Sequence, residues 1–131
     1  MASTLFEACP RTGEAYLAGH SPLEGPPPLK DSRCKFECGL FTETVPGFTQ
    51  TFAFSAARTV VHMDADLYSS TLFVLVTIAP MLKAGDIIIF DEFADVMNEF
   101  RALLDVMSCI PLKLTVIGAV NWGNKVAFAV G

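Results

Sequence analysis

Two apolar segments that each run into carboxylates constrain the fold of this chain more than any other feature. Residues 58–64 (RTVVHMD) and 86–90 (DIIIF) are nearly continuous apolar runs, and an apolar stretch of helical length separates them. Apolar runs without polar alternation are typical of parallel strands that are covered on both faces. Because parallel neighbours need a crossover, we predict a strand, a helix and a second strand in one βαβ unit.

The pattern continues beyond this unit with elements of the same kinds. The first helix is predicted to begin at a cap formed by Ser69 or Ser70 and to run to about Lys83. A second helix is predicted over 95–108, where apolar residues recur on one stripe. Two apolar segments between residues 112 and 131 are typical of strands joined by a tight connection. These elements predict an α/β fold whose sheet is mostly parallel, with an antiparallel last strand.

The first part of the chain is predicted to be less regular. Residues 19–32 carry four of the eight prolines, which are incompatible with a helix or a central strand, and they predict an ordered surface loop. Before this loop, residues 3–9 are interpreted as a helix end and residues 14–19 as a short strand. After it, residues 34–39 are typical of a strand, and residues 39–55 are interpreted as a connection with one helical turn.

Length, composition and charge exclude several classes of protein. The 131 residues favour one domain, with an irregular N-terminal part over 1–57 and an α/β core over 58–131. The formal charge of −5 and the nine scattered basic residues argue against a nucleic-acid partner. No apolar stretch reaches the ~20 residues of a membrane span. The N terminus lacks the pattern of a signal peptide, so a cytoplasmic location without a membrane partner is expected.

Four cysteines raise the question of a zinc site. Cys34 and Cys38 are the pair to consider, but the alternation in CKFEC is typical of a strand. At the rise of a strand their Cα atoms would lie ~13 Å apart, too far to share one metal ion or one disulfide. Reduced, packed thiols are therefore expected.

Carboxylates follow both apolar strands. Asp64 and Asp66 come at the end of the first strand, and Asp91 and Glu92 at the end of the second. In open parallel sheets ligands bind beyond the carboxyl ends of the strands, and a bound cation would relieve the repulsion between these groups. Oxygen ligands suit Mg²⁺ or Ca²⁺. The alternative is a local role, in which Asp66 caps the following helix and Asp91 orients a loop amide.

His62 lies on the first strand, with the parity of Asp64 and Asp66. Because side chains alternate along a strand, it could face the same side as these carboxylates and act as a base. The alternative is a packed and hydrogen-bonded histidine within the strand. The sequence leaves both interpretations open.

Several of these motifs together resemble one enzyme family. The run DADLYSST at residues 64–71, PMLKAG at 80–85 and FDEF at 90–93 are similar to the corresponding motifs of macrocin O-methyltransferase-like enzymes. These are class I S-adenosylmethionine-dependent methyltransferases that modify sugars in antibiotic biosynthesis. Weaker similarities lie at SPLEGPPP (21–28) and GLFTETVPGF (39–48).

The resemblance spans residues 15–131 and implies a fold, a reaction and a set of site residues. It implies a Rossmann-like methyltransferase sheet, S-adenosylmethionine as cofactor and a small-molecule hydroxyl, such as that of a sugar, as acceptor. It also implies that Asp64, Asp91 and Glu92 hold Mg²⁺. Asp64 or Asp66 would then help to deprotonate the attacking hydroxyl.

One part of the family's pattern has no counterpart in this sequence. Enzymes of this class begin with a strand and a Gly-rich turn for the cofactor, whereas none of the nine glycines here forms a G-x-G cluster. The resemblance therefore implies a truncated domain that lacks the first strand and the Gly-rich loop, with no residue assigned to the cofactor.

Two functions stay open: a metal-assisted O-methyltransferase, or a non-catalytic remnant of the fold that serves as a dimeric binding module. A metal-dependent hydrolase is a third, without a motif of its own.

The missing strand also predicts an oligomeric state. In the family's sheet that strand lies beside the segment at 58–64, which would otherwise become an exposed apolar edge. Proteins rarely leave such an edge unpaired. We therefore expect the chain's own N-terminal part or a second copy to cover it, and a symmetric homodimer is the common solution.

Overall fold

The structure is a computed structural model that describes the backbone of residues 3–7, 31 and 33–131. It divides into two compact units, Met1–Gln50 and Thr51–Gly131, and each is described by itself. No helix among the described residues has the length and apolar character that a membrane crossing requires.

The first unit contains a small parallel sheet. β1 (Ser3–Glu7) and β2 (Cys34–Cys38) are its two strands. The strand predicted at CKFEC is confirmed. The helix end predicted at residues 3–9 is wrong, because Ser3–Glu7 pairs along β2 as an extended strand. The predicted short strand and nearly all of the predicted proline-rich loop before β2 lie outside the described residues.

A helix follows β2 where the sequence predicts a connection with only one helical turn. This helix, α1 (Phe41–Thr51), has 11 residues and continues through Pro46. It begins where the Leu40 carbonyl accepts the Thr44 N–H at 3.0 Å. The prediction of one helical turn is wrong, because the helix continues past Pro46 although proline has no N–H to donate. In the structure α1 tolerates the missing N–H, and its Val45 side chain is buried.

The second unit contains the elements that the sequence predicts, in the predicted order. They are β3 (Val60–Met63), α2 (Tyr68–Ile78), β4 (Ile87–Phe90), α3 (Glu99–Cys109), β5 (Leu114–Val120) and β6 (Lys125–Val130). The strands form one sheet in the order β3-β4-β6-β5. β3 and β4 are parallel, whereas β6 runs antiparallel to both of its neighbours. The predicted α/β class and the antiparallel last strand are confirmed.

A tight turn joins β5 to β6, as predicted. It covers Asn121–Gly123, and all three of its residues have a positive φ. Left-handed backbone is uncommon for residues other than glycine, and it lets the chain reverse within a few residues. The turn leaves the side chain of Trp122 fully exposed, at 102% of its reference area.

Both long helices of this unit begin later than predicted or without the predicted cap. α2 begins at Tyr68, so the predicted caps Ser69 and Ser70 lie inside its first turn. α3 begins at Glu99 rather than near residue 95. The preceding residues form a turn in which Asp95 accepts a backbone N–H two residues later, a local bond that competes with helix formation.

α2 also ends earlier than the sequence predicts. The α-helix stops at Ile78 and continues as a 3₁₀ turn over Ala79–Met81, short of the predicted end at Lys83. Pro80 explains the change, because it has no N–H to donate to the preceding turn of the helix.

The core of the second unit lies around β4. Ile88 and Phe90 of this strand are fully buried, together with Leu75 of α2. The ring of Phe93, just beyond β4, packs 5.1 Å from Phe90 and 5.3 Å from Phe128 between ring centroids. Aromatic rings at such distances attract one another beyond the burial of their surface. This packing fixes the path of the chain as it leaves β4.

A buried carboxylate stabilises the opposite end of β4. Asp86, directly before the strand, is 0% exposed and accepts the Thr59 N–H at 2.8 Å and the Lys83 N–H at 2.9 Å. The Lys83 ammonium lies 3.1 Å from Asp86 Oδ1 and also donates to the carbonyls of Phe54 and Ala57. Burial alone would raise the pKa of Asp86, but these hydrogen bonds and the ammonium together hold it below its ordinary value.

Candidate active site

The carboxyl ends of β3 and β4 meet at one edge of the sheet. The last residues of the two strands, Met63 and Phe90, are paired in the parallel register. The Asp91 N–H donates to the Met63 carbonyl at 3.0 Å, so the loops that follow the strands start side by side. The four acidic residues of these loops are called the carboxylate rim: Asp64, Asp66, Asp91 and Glu92.

A lysine from β6 neutralises one member of the rim. The Lys125 ammonium contacts Asp91 Oδ1 directly, and His62 Nε2 lies 3.4 Å from the same oxygen. The hydrogen bond from Lys125 is the main cause that lowers the pKa of Asp91, while partial burial opposes it. In turn, the hydrogen bond to Asp91 raises the pKa of Lys125. The rim therefore already contains one cation, and it belongs to the chain itself.

The structure shows the surroundings of His62 and Asp91, for each of which the sequence leaves two interpretations open. His62 is exposed beside the rim, so its interpretation as a packed histidine is wrong. The Asp91 side chain binds Lys125, and it is the Asp91 backbone carbonyl that accepts a side-chain amide, from Asn124 Nδ2 at 3.1 Å. The backbone of Asn124 in turn accepts the Phe93 N–H at 2.7 Å, which holds the turn before β6 against the loop after β4.

Asp66 has a backbone conformation that is unusual for an aspartate. Its φ is 54°, and the Leu67 N–H donates across it to the Ala65 carbonyl at 2.5 Å. Non-glycine residues in this region are strained, and such residues are frequent at functional sites. The N-cap of α2 is Leu67, and the Tyr68 N–H is accepted by Asn98 Oδ1 at 3.1 Å. A residue of α3 therefore holds the start of α2.

Glu99 is a residue of the site that the sequence does not single out. It is 0% exposed, and its Oε2 accepts the Glu92 N–H at 3.0 Å, whereas its Oε1 has no hydrogen-bond partner among the described residues. Burial raises its pKa, and the charges of Asp64 and Glu92 add to this. The amides of Glu92 and Ala65 oppose the shift. The sequence signal was the run NEFRA at 98–102, which resembles the start of a helix in the family and lies within the helix predicted over 95–108.

The donor atoms of the rim fit a hard divalent cation in their chemistry, because all of them are carboxylate oxygens. Their arrangement does not gather a complete ligand set. Within the described part of the chain, no three side chains of metal-binding types are grouped so that they could hold a metal ion. Of the predicted ligands Asp64, Asp91 and Glu92, Asp91 is already paired with Lys125.

A shallow groove lies at the start of α2, next to the rim in sequence. Its volume is about 310 Å³. Tyr68 Oη and Arg101 Nε both donate to Asp105 Oδ2 at 2.9 Å, and these three side chains form its polar part. The remaining lining residues, Val96 and Met97, are exposed apolar side chains. The groove can thus offer both hydrogen bonds and apolar contact to a small molecule.

The comparison with known protein families decides the ancestry of this site. The sequence profile of the family described as Macrocin-O-methyltransferase (TylF) matches residues 28–113. The chain belongs to this family. The matched region contains β3, β4, all four carboxylates of the rim and Glu99, but it ends before Lys125. The family resemblance predicted from the sequence is confirmed.

Two O-methyltransferases from Streptomyces share part of this sequence. The chain is 32% identical over 78 residues to the 8-demethyl-8-(2,3-dimethoxy-alpha-L-rhamnosyl)-tetracenomycin-C 4'-O-methyltransferase of Streptomyces olivaceus, covering 56% of this chain and 28% of that protein. It is also 32% identical over 85 residues to the demethyldecarbamoylnovobiocin O-methyltransferase of Streptomyces niveus, covering 60% and 30% respectively. The matched segments therefore span less than a third of the length of these relatives.

Solved structures of methyltransferases share the fold. The O-methyltransferase NovP superposes with a TM-score of 0.61 at 23% identity, covering 78% of this chain and 39% of NovP. CalS11, a TDP-rhamnose 3'-O-methyltransferase of calicheamicin biosynthesis, gives 0.58 at 25% identity, covering 74% and 41%. The α/β arrangement of this macrocin O-methyltransferase family member is thus that of known O-methyltransferases.

Proposed function

We propose that this chain takes part in the transfer of a methyl group from S-adenosylmethionine to a hydroxyl of a small-molecule acceptor, such as a sugar. The observation that carries the proposal is the carboxylate rim, which lies at the carboxyl ends of two parallel strands and within the region matched by the family. The rhamnosyl and TDP-rhamnose acceptors named for two of the similar methyltransferases support a sugar as the acceptor class.

In the proposed reaction the rim acts on the acceptor's hydroxyl proton. A carboxylate oxygen of Asp64 or Asp66 takes this proton, which makes the hydroxyl oxygen a better nucleophile. The strained backbone of Asp66 supports a role that needs a fixed side-chain position. The groove of Tyr68, Arg101 and Asp105 would orient the rest of the acceptor through hydrogen bonds.

The proposal includes a Mg²⁺ ion, with the carboxylates of Asp64, Asp91 and Glu92 as its ligands. When bound, such an ion lowers the pKa of a coordinated hydroxyl and orients it. Binding requires Asp91 to release the Lys125 ammonium that now pairs with it. The charges of Asp64 and Glu92, which raise the pKa of Glu99, are an electrostatic reason for added positive charge near the rim.

A second candidate function is a non-catalytic, dimeric binding module on the same fold. The observation that favours it is the position of β3 at an edge of the sheet, where Val60 is 55% exposed. A second copy of the chain could cover this edge as a symmetric homodimer. The absence of a G-x-G cluster in the sequence also favours it, because no Gly-rich turn is available for the cofactor. In both candidates we expect a cytoplasmic protein without a nucleic-acid or membrane partner.

A thermal melt with S-adenosylmethionine and Mg²⁺, beside light scattering, tests the two candidates. Cofactor at a hundred times its Kd should stabilise the chain by about 2.7 kcal/mol, a shift of several degrees. Asp91→Ala should abolish any rise that Mg²⁺ adds, and Ser108→Ala, at the far end of α3, is the matched control. A dimer that shows no shift at millimolar cofactor would reject the enzyme for this chain and favour the binding module.

A further inference from the structure

The first two residues at the start of α3 connect the two loops of the carboxylate rim. Asn98 Oδ1 accepts the Tyr68 N–H at 3.1 Å, directly after the loop that follows β3. Glu99 Oε2 accepts the Glu92 N–H at 3.0 Å, within the loop that follows β4. Two neighbouring residues at the start of α3 thus bind the backbone at the start of α2 and within the loop that follows β4.

Asn98 is itself held in the orientation that this contact needs. Its Nδ2 donates to Asp95 Oδ2 at 2.7 Å, so its Oδ1 is the atom that faces the Tyr68 N–H. Asp95 Oδ1 accepts the Met97 N–H at 3.0 Å, which fixes Asp95 in turn. The oxygen and nitrogen of the Asn98 amide are therefore assigned by two independent hydrogen bonds.

Glu99 is a costly residue to place at this position. A buried carboxyl group with one oxygen that lacks a hydrogen bond destabilises a fold, and an apolar side chain of the same size would avoid this cost. No ion pair of Glu99 compensates for it among the described residues. A residue that is unfavourable for the fold and yet binds the backbone of the candidate site is best explained by what it positions.

We propose that Asn98 and Glu99 form a clamp that fixes the distance between the two loops of the carboxylate rim, with Glu99 as a positioning residue for Glu92. The clamp rests on the proposed function for its purpose, but its action on the backbone is independent of any ligand. It requires only that the two hydrogen bonds hold the loops more rigidly than the sheet alone does.

Amide hydrogen exchange measured by NMR on the full chain tests the clamp. Glu99→Met keeps the volume of the side chain and removes the accepting oxygen, and Glu99→Gln keeps an accepting oxygen and removes the charge. We expect Glu99→Met to speed exchange of the Glu92 amide by about tenfold, the factor of one lost hydrogen bond of ordinary strength. Glu99→Gln should restore slow exchange. Asn98→Ala should speed exchange at Tyr68 and leave Glu92 less affected.

The melting temperatures of the same variants separate positioning from a purely structural role. Because Glu99→Met removes a buried carboxyl group, its melting temperature should equal or exceed that of the wild type while Glu92 exchange speeds up. A lower melting temperature with parallel acceleration at all amides would identify Glu99 as a general stabiliser and overturn the proposal. Unchanged exchange at Glu92, or Glu99→Gln behaving like Glu99→Met, would overturn it as well. Ser108→Ala serves as the control on the same helix.

The outcome is distinguishable from that of the proposed function. If the wild type gives no melting shift with S-adenosylmethionine and Mg²⁺, but Glu99→Met frees the Glu92 amide, the enzyme proposal fails and the clamp stands. If the wild type does shift and Glu99→Met leaves Glu92 exchange unchanged, the clamp fails and the enzyme proposal stands.

Discussion

Two fully buried carboxyl groups lie near opposite ends of β4, and they differ in how many of their hydrogen bonds are made. Asp86, before the strand, accepts backbone N–H groups on both oxygens and is paired with the Lys83 ammonium. Glu99, bound to the loop after the strand, has a partner on only one oxygen. Accordingly the pKa of Asp86 is lowered and that of Glu99 is raised.

The difference separates a fully hydrogen-bonded amino end of β4 from an incompletely bonded carboxyl end, which is where we propose the site. A buried polar group with all of its hydrogen bonds made rigidifies a structure, whereas a partly satisfied one destabilises it. The amino end of β4, at Asp86, has the first arrangement. The carboxyl end, where ligands bind in open α/β sheets, has the second. Substitutions at each end of β4 therefore test this difference.

The largest expected effect is that of Asp86→Ala. The substitution leaves two backbone N–H groups without their acceptor and removes the carboxylate that pairs with the Lys83 ammonium, which keeps two carbonyl acceptors. We expect the free energy of unfolding to fall by about 3 kcal/mol. We choose the lower end of the range of free energies lost when a buried ion pair is broken, because the Lys83 side chain is partly in solvent. Urea denaturation measures the change, with Asp86→Asn as the partial replacement. A loss equal to that of an ordinary surface substitution would remove the contrast between the two ends.

The pH dependence of stability should differ in sign between the two groups. The pKa of Asp86 lies below its ordinary 3.8 in the folded chain, so its contribution is present above that pH and is lost as the pH falls through the folded value. The pKa of Glu99 lies above its ordinary 4.5, so its contribution is present below 4.5 and is lost as the pH rises through the folded value.

Urea titrations between about pH 3 and pH 8 check this prediction on the wild type, Asp86→Asn and Glu99→Gln. Glu99→Gln should flatten the loss of stability on the alkaline side of 4.5, and Asp86→Asn the loss on the acid side of 3.8. Identical profiles for the wild type and Glu99→Gln would contradict the raised pKa of Glu99.

The smallest change in stability is expected for Lys125→Gln. The Lys125 side chain is about half exposed and Asp91 is partly buried, and ion pairs in contact with solvent contribute little to folding. The variant is informative about Mg²⁺ binding, because it removes the ammonium that now pairs with the Asp91 carboxylate. The rise in melting temperature caused by Mg²⁺ should be larger in Lys125→Gln than in the wild type. No rise in either protein would remove the metal site from the proposed function.

The fold of the second unit could be predicted because its signals are local. β3 and β4 are short apolar runs, α2 is apolar along most of its length, and α3 has a periodic apolar stripe. The errors lie where a local interaction overrides the pattern. α1 continues through Pro46 beyond the single predicted turn, Pro80 ends α2 early, and the turn at Asp95 delays α3. Ser3–Glu7 is too short for its period to separate a strand from a helix.

For the site as well, local sequence signals were predictable and long-range contacts were not. The sequence places all four carboxylates of the rim within three residues of a strand end, and the parallel pairing of β3 with β4 starts their loops side by side. Lys125 could not be predicted, because it is 34 residues from Asp91 and reaches it only through the pairing of β4 with β6. Glu99 is only seven residues from Glu92, but its role depends on burial and on the path of the loop between them. Long-range register and burial are the information that a single sequence did not supply.

The exposed turn between β5 and β6 gives this chain a built-in optical reporter. Trp122 is the only tryptophan of the 131 residues, and its indole is already surrounded by water in the folded chain. Indole emission depends on the polarity around the ring, so unfolding should shift its wavelength little, and fluorescence would underestimate the folding transition. The ring lies two residues from Asn124, whose side chain binds the loop of Asp91. Its emission is therefore better suited to detecting molecules that bind beside the rim than to following the fold.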